Sequence, residues 1–113
     1  MLFEVGTGAE CLQCHMPGRT YMGIHYRLDH SLRIPRPDLS VKVGSPNACN
    51  RCHIDKNSQW SVDAINKWYG PGRRPHYGTV IEAGRKRFRE AKKDLIRLAG
   101  DPLYPVIVRA TAL

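Results

Sequence analysis

The chain lacks what a membrane-spanning or large-core protein needs. Its 113 residues hold no apolar stretch long enough to cross a bilayer, which takes roughly 18 residues or more. The first ten residues, Met-Leu-Phe-Glu-Val-Gly-Thr-Gly-Ala-Glu, have neither a basic start nor a continuous apolar run, so they do not read as a secretion signal. Acidic residues are scarce, 10 Asp and Glu against 18 Lys and Arg, and the formal net charge is +8. Apolar residues make up 42%, interrupted by 8 Pro and 10 Gly, so the polypeptide has little from which to build a large core unaided. The length fits one domain, or one domain plus part of another. Cysteine is scarce as well, with four residues, and these are not scattered.

All four lie in two pentapeptides, Cys11-Leu-Gln-Cys14-His15 and Cys49-Asn-Arg-Cys52-His53. Each is C-x-x-C-H, the sequence at which c-type haem is attached. The spacing follows from the chemistry. Two residues between the cysteines set the sulfurs one helical turn apart, where both reach the vinyl groups on one porphyrin edge. The next histidine turns its imidazole onto the iron as proximal ligand. Histidine is 5 of 113 residues, so two such motifs arise by chance on the order of 1 time in 500, given the two C-x-x-C pairs. The competing expectation is a four-cysteine zinc site, two knuckles clamping one tetrahedral ion, with the histidines incidental. Disulfides or inert thiols are the third alternative.

Two haems need two more axial ligands or leave an open iron face. The histidines outside the motifs are His25, His30 and His76. His30 lies between Asp29 and Ser31, in a segment expected to cover the first haem, with Asp29 expected to orient its ring. His76 follows Pro75 at the start of a helical pattern. His15 and His53 with His30 and His76 are therefore the expected iron ligands, and His25 ranks behind them. Met16 and Met22 are alternatives, but Met16 adjoins its own proximal His15. Arg19, Arg27, Arg33 and Arg36 cluster near the first motif and suit either propionate pairing or a solvated surface.

The rest of the chain reads as mainly α. Residues 1–10 read as a disordered or docking lead-in. Pro17 and Gly18 end the first motif's turn. Residues 24–48 show neither helical nor alternating period and are expected to form an irregular loop over a cofactor. Asn47 is placed to cap the short helix of the second motif. Lys56 to Tyr69 is helical, with Asp55 or Ser58 as cap and Gly70-Pro71 as stop. Its Trp60, Ala64 and Trp68 stripe is expected to be core or to pack on the second porphyrin. A long helix is expected from Thr79 to Ala99, with apolar Val80, Phe88, Ala91, Leu95 and Leu98 opposite basic Arg85, Lys86, Arg87, Arg89, Lys92 and Lys93. Gly100-Asp101-Pro102 breaks it, and Pro105 starts another helix through Leu113. Such a unit cannot bury its apolar face alone. These patterns divide the chain into a loop-rich dihaem module, residues 1–77, and a helical hairpin, residues 78–113.

Three stretches resemble a known family. Cys11–Tyr21, Asp29–Ser40 and Pro46–Lys56, with Trp60 beyond, are similar to multihaem c-type cytochromes fused to tetratricopeptide-like repeats. The Cys-His-Met-Pro and Asp-His-Ser segments carry the resemblance, which covers roughly residues 11–77. It implies two covalent haems, a periplasmic or otherwise extracytoplasmic site, electron transfer, and a longer exported chain of which this is a part. Redox partners would be acidic at the contact, and the charge need not imply nucleic acid. Two other expectations stand beside this one. One is a multihaem oxidoreductase fragment with one open haem. The other is a zinc-binding interaction or nucleic-acid-binding module.

Overall fold

A computed structural model describes residues 10–113. The expected lead-in lies, but for Glu10, outside the described residues. Among those described, the chain forms seven helices and one two-stranded sheet, so it is mainly α as the sequence predicts. Among the described residues no helix is long and apolar enough to cross a membrane. The chain divides into two compact units, Met1–Pro71 and Gly72–Leu113.

The first unit opens with α1 (Cys11–His15), followed by β1 (Gly18–Tyr21) and β2 (His25–Leu28). The strands are antiparallel, pairing Gly18 with Leu28, Arg19 with Arg27, Thr20 with Tyr26 and Tyr21 with His25. Alternation along the strands therefore puts Arg19, Tyr21, His25 and Arg27 on one face and Thr20, Tyr26 and Leu28 on the other. Met22 and Gly23 form the turn, both at positive φ. A Cβ on Gly18 would overlap the Tyr26 ring, so only glycine fits beneath it. After a further turn come α2 (Pro37–Val43), α3 (Cys49–Cys52) and α4 (Ser58–Tyr69).

The irregular loop expected over residues 24–48 is thus corrected by a strand and a helix. Met22 in a left-handed turn position hid the hairpin, because that place usually carries Asn, Asp or Gly. Pro37 stands at the first helical position, where its fixed φ suits the helix and its missing N–H costs nothing. Arg36 and Asp38 clasp on either side of it, Nε to Oδ1 and a terminal nitrogen to Oδ2, each 2.8 Å. Gly44, at φ 71, closes the helix. The cap of α4 is neither Asp55 nor Ser58 but Asn57, whose side chain accepts the Trp60 N–H at 2.9 Å. Asn57 is extended and stands immediately before the first helical residue, as a cap must. Helix α2 packs on α4, burying Pro37, Leu39 and Ser61.

The second unit holds α5 (Tyr77–Arg85), α6 (Ala91–Gly100) and α7 (Val106–Thr111). The single helix expected from Thr79 to Ala99 is corrected to two. Arg87 stops α5 in the left-handed region at φ 56. Phe88 N–H then reaches back to the Ala83 carbonyl at 3.1 Å and Arg87 N–H to Gly84 at 2.9 Å. Those two bonds are a Schellman ending, built on arginine where glycine is the usual signal. Phe88, expected on the apolar face, is instead 57% exposed at the break. Gly84 lets α6 approach, since a Cβ there would fall 2.7 Å from Leu95 Cδ1. Leu98, Val108 and Ala112 form the buried centre, with Tyr77, Val80, Ile81, Leu95, Ala99 and Tyr104 packed around them.

Candidate functional site

The first motif occupies one helical turn. Cys11 and Cys14 stand three residues apart in α1, and both thiols are free, as are those of Cys49 and Cys52. His15 ends the turn. Its Nδ1 lies 2.9 Å from the backbone oxygen of Arg33. A carbonyl only accepts, so Nδ1 carries the proton and Nε2 keeps its lone pair outward. This is the tautomer that an Nε2 metal ligand requires.

His30 is set the same way, with Nδ1 2.9 Å from the Leu28 carbonyl. Asp29, expected to orient His30, does not contact its ring through a hydrogen bond. Its carboxylate accepts from the N–H and hydroxyl of Ser31. His76 is set the opposite way. Gly78 N–H donates to its Nδ1 at 3.0 Å, so the proton sits on Nε2 and the imidazole caps α5. The ring stacks on Tyr77 at 4.1 Å between centroids. His25 lies on the arginine face of the hairpin, opposite Tyr26 and Leu28.

The second motif is held by a polar knot. Asn47 Oδ1 accepts the Asn50 N–H at 3.1 Å, so Asn47 caps the motif's turn as its position suggested. Asn47 Nδ2 donates to Ser40 Oγ in α2 and to Asn50 Oδ1. Asn50 Nδ2 donates to the Lys56 and His53 carbonyls, and its Oδ1 also accepts from Ser61 in α4. Ser61 is 1% exposed. Asn50, inside Cys49-Asn-Arg-Cys52, thus ties the motif to α4 directly and to α2 through Asn47. Sequence reasoning missed Asn50 and Ser61. The signal was an Asn-x-x-Asn pair around the first cysteine.

Burial pushes the Cys49 thiol above its ordinary pKa. The Cys14 thiol of the other motif pushes the same way, while hydrogen bonding from Ser61 opposes them. The two motifs are therefore electrostatic neighbours. Among the described residues no three His, Cys, Asp or Glu side chains converge to hold a metal ion. The four sulfurs are not gathered into the tetrahedron that a structural zinc site needs.

Two hollows flank the motifs. An open cavity of about 600 Å³ is lined by Leu12, Met16, Pro17, Tyr26 and Leu28 with Arg51 and Cys52 among its walls. It joins residues of both motifs to the apolar face of the hairpin. Arg51 is its cation. Arg19 and Arg27 lie on the other hairpin face, Arg33 donates to Ser31, and Arg36 is clasped to Asp38. A shallower hollow of about 340 Å³ is lined by Trp60, Ala64 and Trp68 with Asp63 and Lys67. The tryptophan stripe is not core, for Trp68 is 67% exposed. His53 packs its ring on Trp60, centroids 4.8 Å apart.

A haem is a flat apolar body with an acidic edge, and these residues fit one. Paired free thiols stand on one turn beside an imidazole fixed with Nε2 outward, and an apolar hollow with an arginine lies alongside. Comparison with protein-family models, curated proteins and solved structures finds no match for this chain.

Proposed function

We propose that the chain is a dihaem electron-transfer module, belonging to the multihaem cytochromes with tetratricopeptide-like repeats. The observation that carries the reading is His15, locked by the Arg33 carbonyl in the ligand tautomer one turn from Cys11 and Cys14. Covalent haem supplies one-electron chemistry at such a site. Cys11 and Cys14 hold the first, and Cys49 and Cys52 the second. His15 and His53 would hold the two irons beside their cysteine pairs, and His30 would be a further ligand. The Leu12, Met16, Tyr26 and Leu28 walls would exclude water from one porphyrin, and Trp60, Ala64 and Trp68 would cover the other. Arg51 is the propionate partner. Exposed apolar side chains in such number mark a surface that another apolar body covers. Covalent attachment to this motif takes place outside the bacterial cytoplasm, so the working location is the periplasm, within a longer exported protein. The second unit then begins a helical repeat stack.

Charge points to the partner. Residues 72–113 carry ten Lys and Arg against four Asp and Glu, +6 of the chain's +8. Arg85, Arg87, Arg89, Lys92 and Lys93 stand exposed around the α5–α6 break. An acidic redox partner docks there, steered by opposite charge.

A second reading gains from one observation. His76 caps α5 through Nδ1, which accepts the Gly78 N–H, and carries its proton on Nε2, so it ligates iron only by giving up the Gly78 bond. If it keeps the cap, the second iron has an open face and the chain belongs to a multihaem oxidoreductase acting on a small nitrogen or sulfur species.

The test is expression with the haem-attachment machinery, then denaturing electrophoresis with peroxidase staining and metal analysis. Two irons per chain travelling with the polypeptide support the proposal. Zinc without iron overturns it in favour of the metal-knuckle module. Cyanide or nitrite difference spectra then separate the carrier from the oxidoreductase, because only an open iron face binds them.

A further inference from the structure

The turn from Leu28 to Arg33 is more heavily bonded than its exposure requires. Asp29 Oδ1 accepts the Ser31 N–H at 3.0 Å and the Ser31 hydroxyl as well. Ser31 Oγ in turn accepts from Arg33 Nε at 2.8 Å, and that Nε lies 3.6 Å from Asp29 Oδ2. Asp29 N–H donates to the Pro17 carbonyl at 3.1 Å, pinning the turn beside α1.

Within this network Leu32 stands at φ 46. A left-handed leucine is strained, and such strain persists where its surroundings over-determine it. Two contacts emerge from the strained turn. The Arg33 carbonyl meets His15 Nδ1, and the Leu28 carbonyl meets His30 Nδ1. One bonded turn thus sets the tautomer of two imidazoles from separate parts of the chain.

We propose that Asp29, Ser31 and Arg33 form a positioning brace that holds the Arg33 carbonyl on His15 Nδ1. The brace locks His15 as an Nε2 ligand and strengthens its donation to the metal. It rests on the dihaem reading and adds to it three residues that touch neither thiol nor iron. The physical reason is that a carbonyl accepting the far N–H makes the imidazole more basic and stabilises the oxidised metal. Unbraced, the carbonyl drifts, and His15 relaxes toward the Nε2–H form that free imidazole favours.

Asp29→Ala and Ser31→Ala each remove the brace while leaving the Arg33 carbonyl in the chain. Asp29→Asn keeps an oxygen for Ser31 and is the conservative rescue. Arg27→Ala, on the far face of the hairpin, is the control. Two readouts are taken on the full chain. In haem-free protein, ¹⁵N shifts of the His15 ring report its tautomer. The wild type is expected to be predominantly Nδ1–H, and Asp29→Ala and Ser31→Ala to lower that population several-fold. In matured protein, the midpoint potential of the first haem is expected to rise in both alanine variants. At the wild-type midpoint their ratio of oxidised to reduced haem falls several-fold. Asp29→Asn restores both signals, and Arg27→Ala changes neither. If both alanine variants keep wild-type tautomer and potential, the brace is wrong. It is also wrong if wild-type His15 exchanges freely between tautomers. If the matured wild type carries no haem, the dihaem reading fails, while the tautomer measurement still decides the brace.

Discussion

The two units are stabilised by opposite means. In Gly72–Leu113 a small core forms, with Leu98, Val108 and Ala112 buried and six partly buried residues around them, although Ile96, Leu103, Val106 and Ile107 stay exposed. Among the described residues of Met1–Pro71 most large apolar side chains turn outward. Met22 is 94% exposed, and Leu12, Ile24, Tyr26, Leu28, Ile34, Trp60 and Trp68 join it, while Leu39 is the one large aliphatic buried among the described residues of that unit. Order there comes from hydrogen bonds: the Asn47–Asn50–Ser61 knot, the Asp29–Ser31–Arg33 turn and the Arg36–Asp38 clasp. The difference teaches that a chain of modest apolar content need not spend it evenly. One part builds a small core from it. The other displays it around two cysteine motifs, as a surface shaped for something apolar.

The sharpest way to break the comparison is Leu98→Ala. It empties the centre of the second unit and is expected to cost about 2–5 kcal/mol. Amide exchange should then rise throughout α5, α6 and α7 while the α2–α4 packing keeps its protection. A uniform loss across both units would show that they do not stand separately. Asn50→Ala tests the other side. It removes acceptors for Asn47 and Ser61 and donors to two carbonyls, with an expected cost of about 1–3 kcal/mol for the groups left unpaired. Protection should fall in α3 and at the start of α4, with α6 unchanged.

Acid should also discriminate. Arg36, bonded to Asp38, holds that carboxyl below its ordinary range. A carboxyl depressed in the folded state contributes stability above its unfolded value, near pH 4, and loses it as pH falls through the lower folded value. Urea melts followed at the first unit should weaken over that interval, and Asp38→Asn should flatten the dependence. The smallest expected effect is Arg87→Gly. Relieving a left-handed arginine, offset by glycine's greater freedom when unfolded, should stabilise the second unit by about 0.5 kcal/mol. A melting temperature that falls would mean that the Arg87 side chain contributes more than its backbone costs.

Several features were legible because one local cause decides each. The two C-x-x-C-H turns, the Asn47 cap, the stop at Gly70 and the helix starting after Pro105 depend on neighbours in sequence. Legibility failed where the deciding partner is distant or an unusual residue takes a glycine's place. Met22 and Arg87 adopt left-handed φ without the side chain that announces it, so a hairpin and a helix break went unseen. Helix α2 went unseen because it is short and its stabilising partner, α4, lies some twenty residues away in sequence. Asn57 displaced Asp55 and Ser58 as a cap because the choice turns on backbone angles at one residue.

Sequence alone determined the chemistry available: four thiols in two motifs, five imidazoles, a basic excess and a mainly helical chain. Covalent spacing and local propensity are short-range properties, and a linear string contains them. His30 and His76 take their tautomers from backbone groups two residues away, a carbonyl for one and an N–H for the other, so local conformation settles them. Tertiary structure alone decided His15, whose Nδ1 meets the carbonyl of Arg33, 18 residues on in the chain, and whose Nε2 is thereby left open. No spacing rule could foresee that contact, because the polar atom that sets the tautomer is one that only the fold brings to the ring.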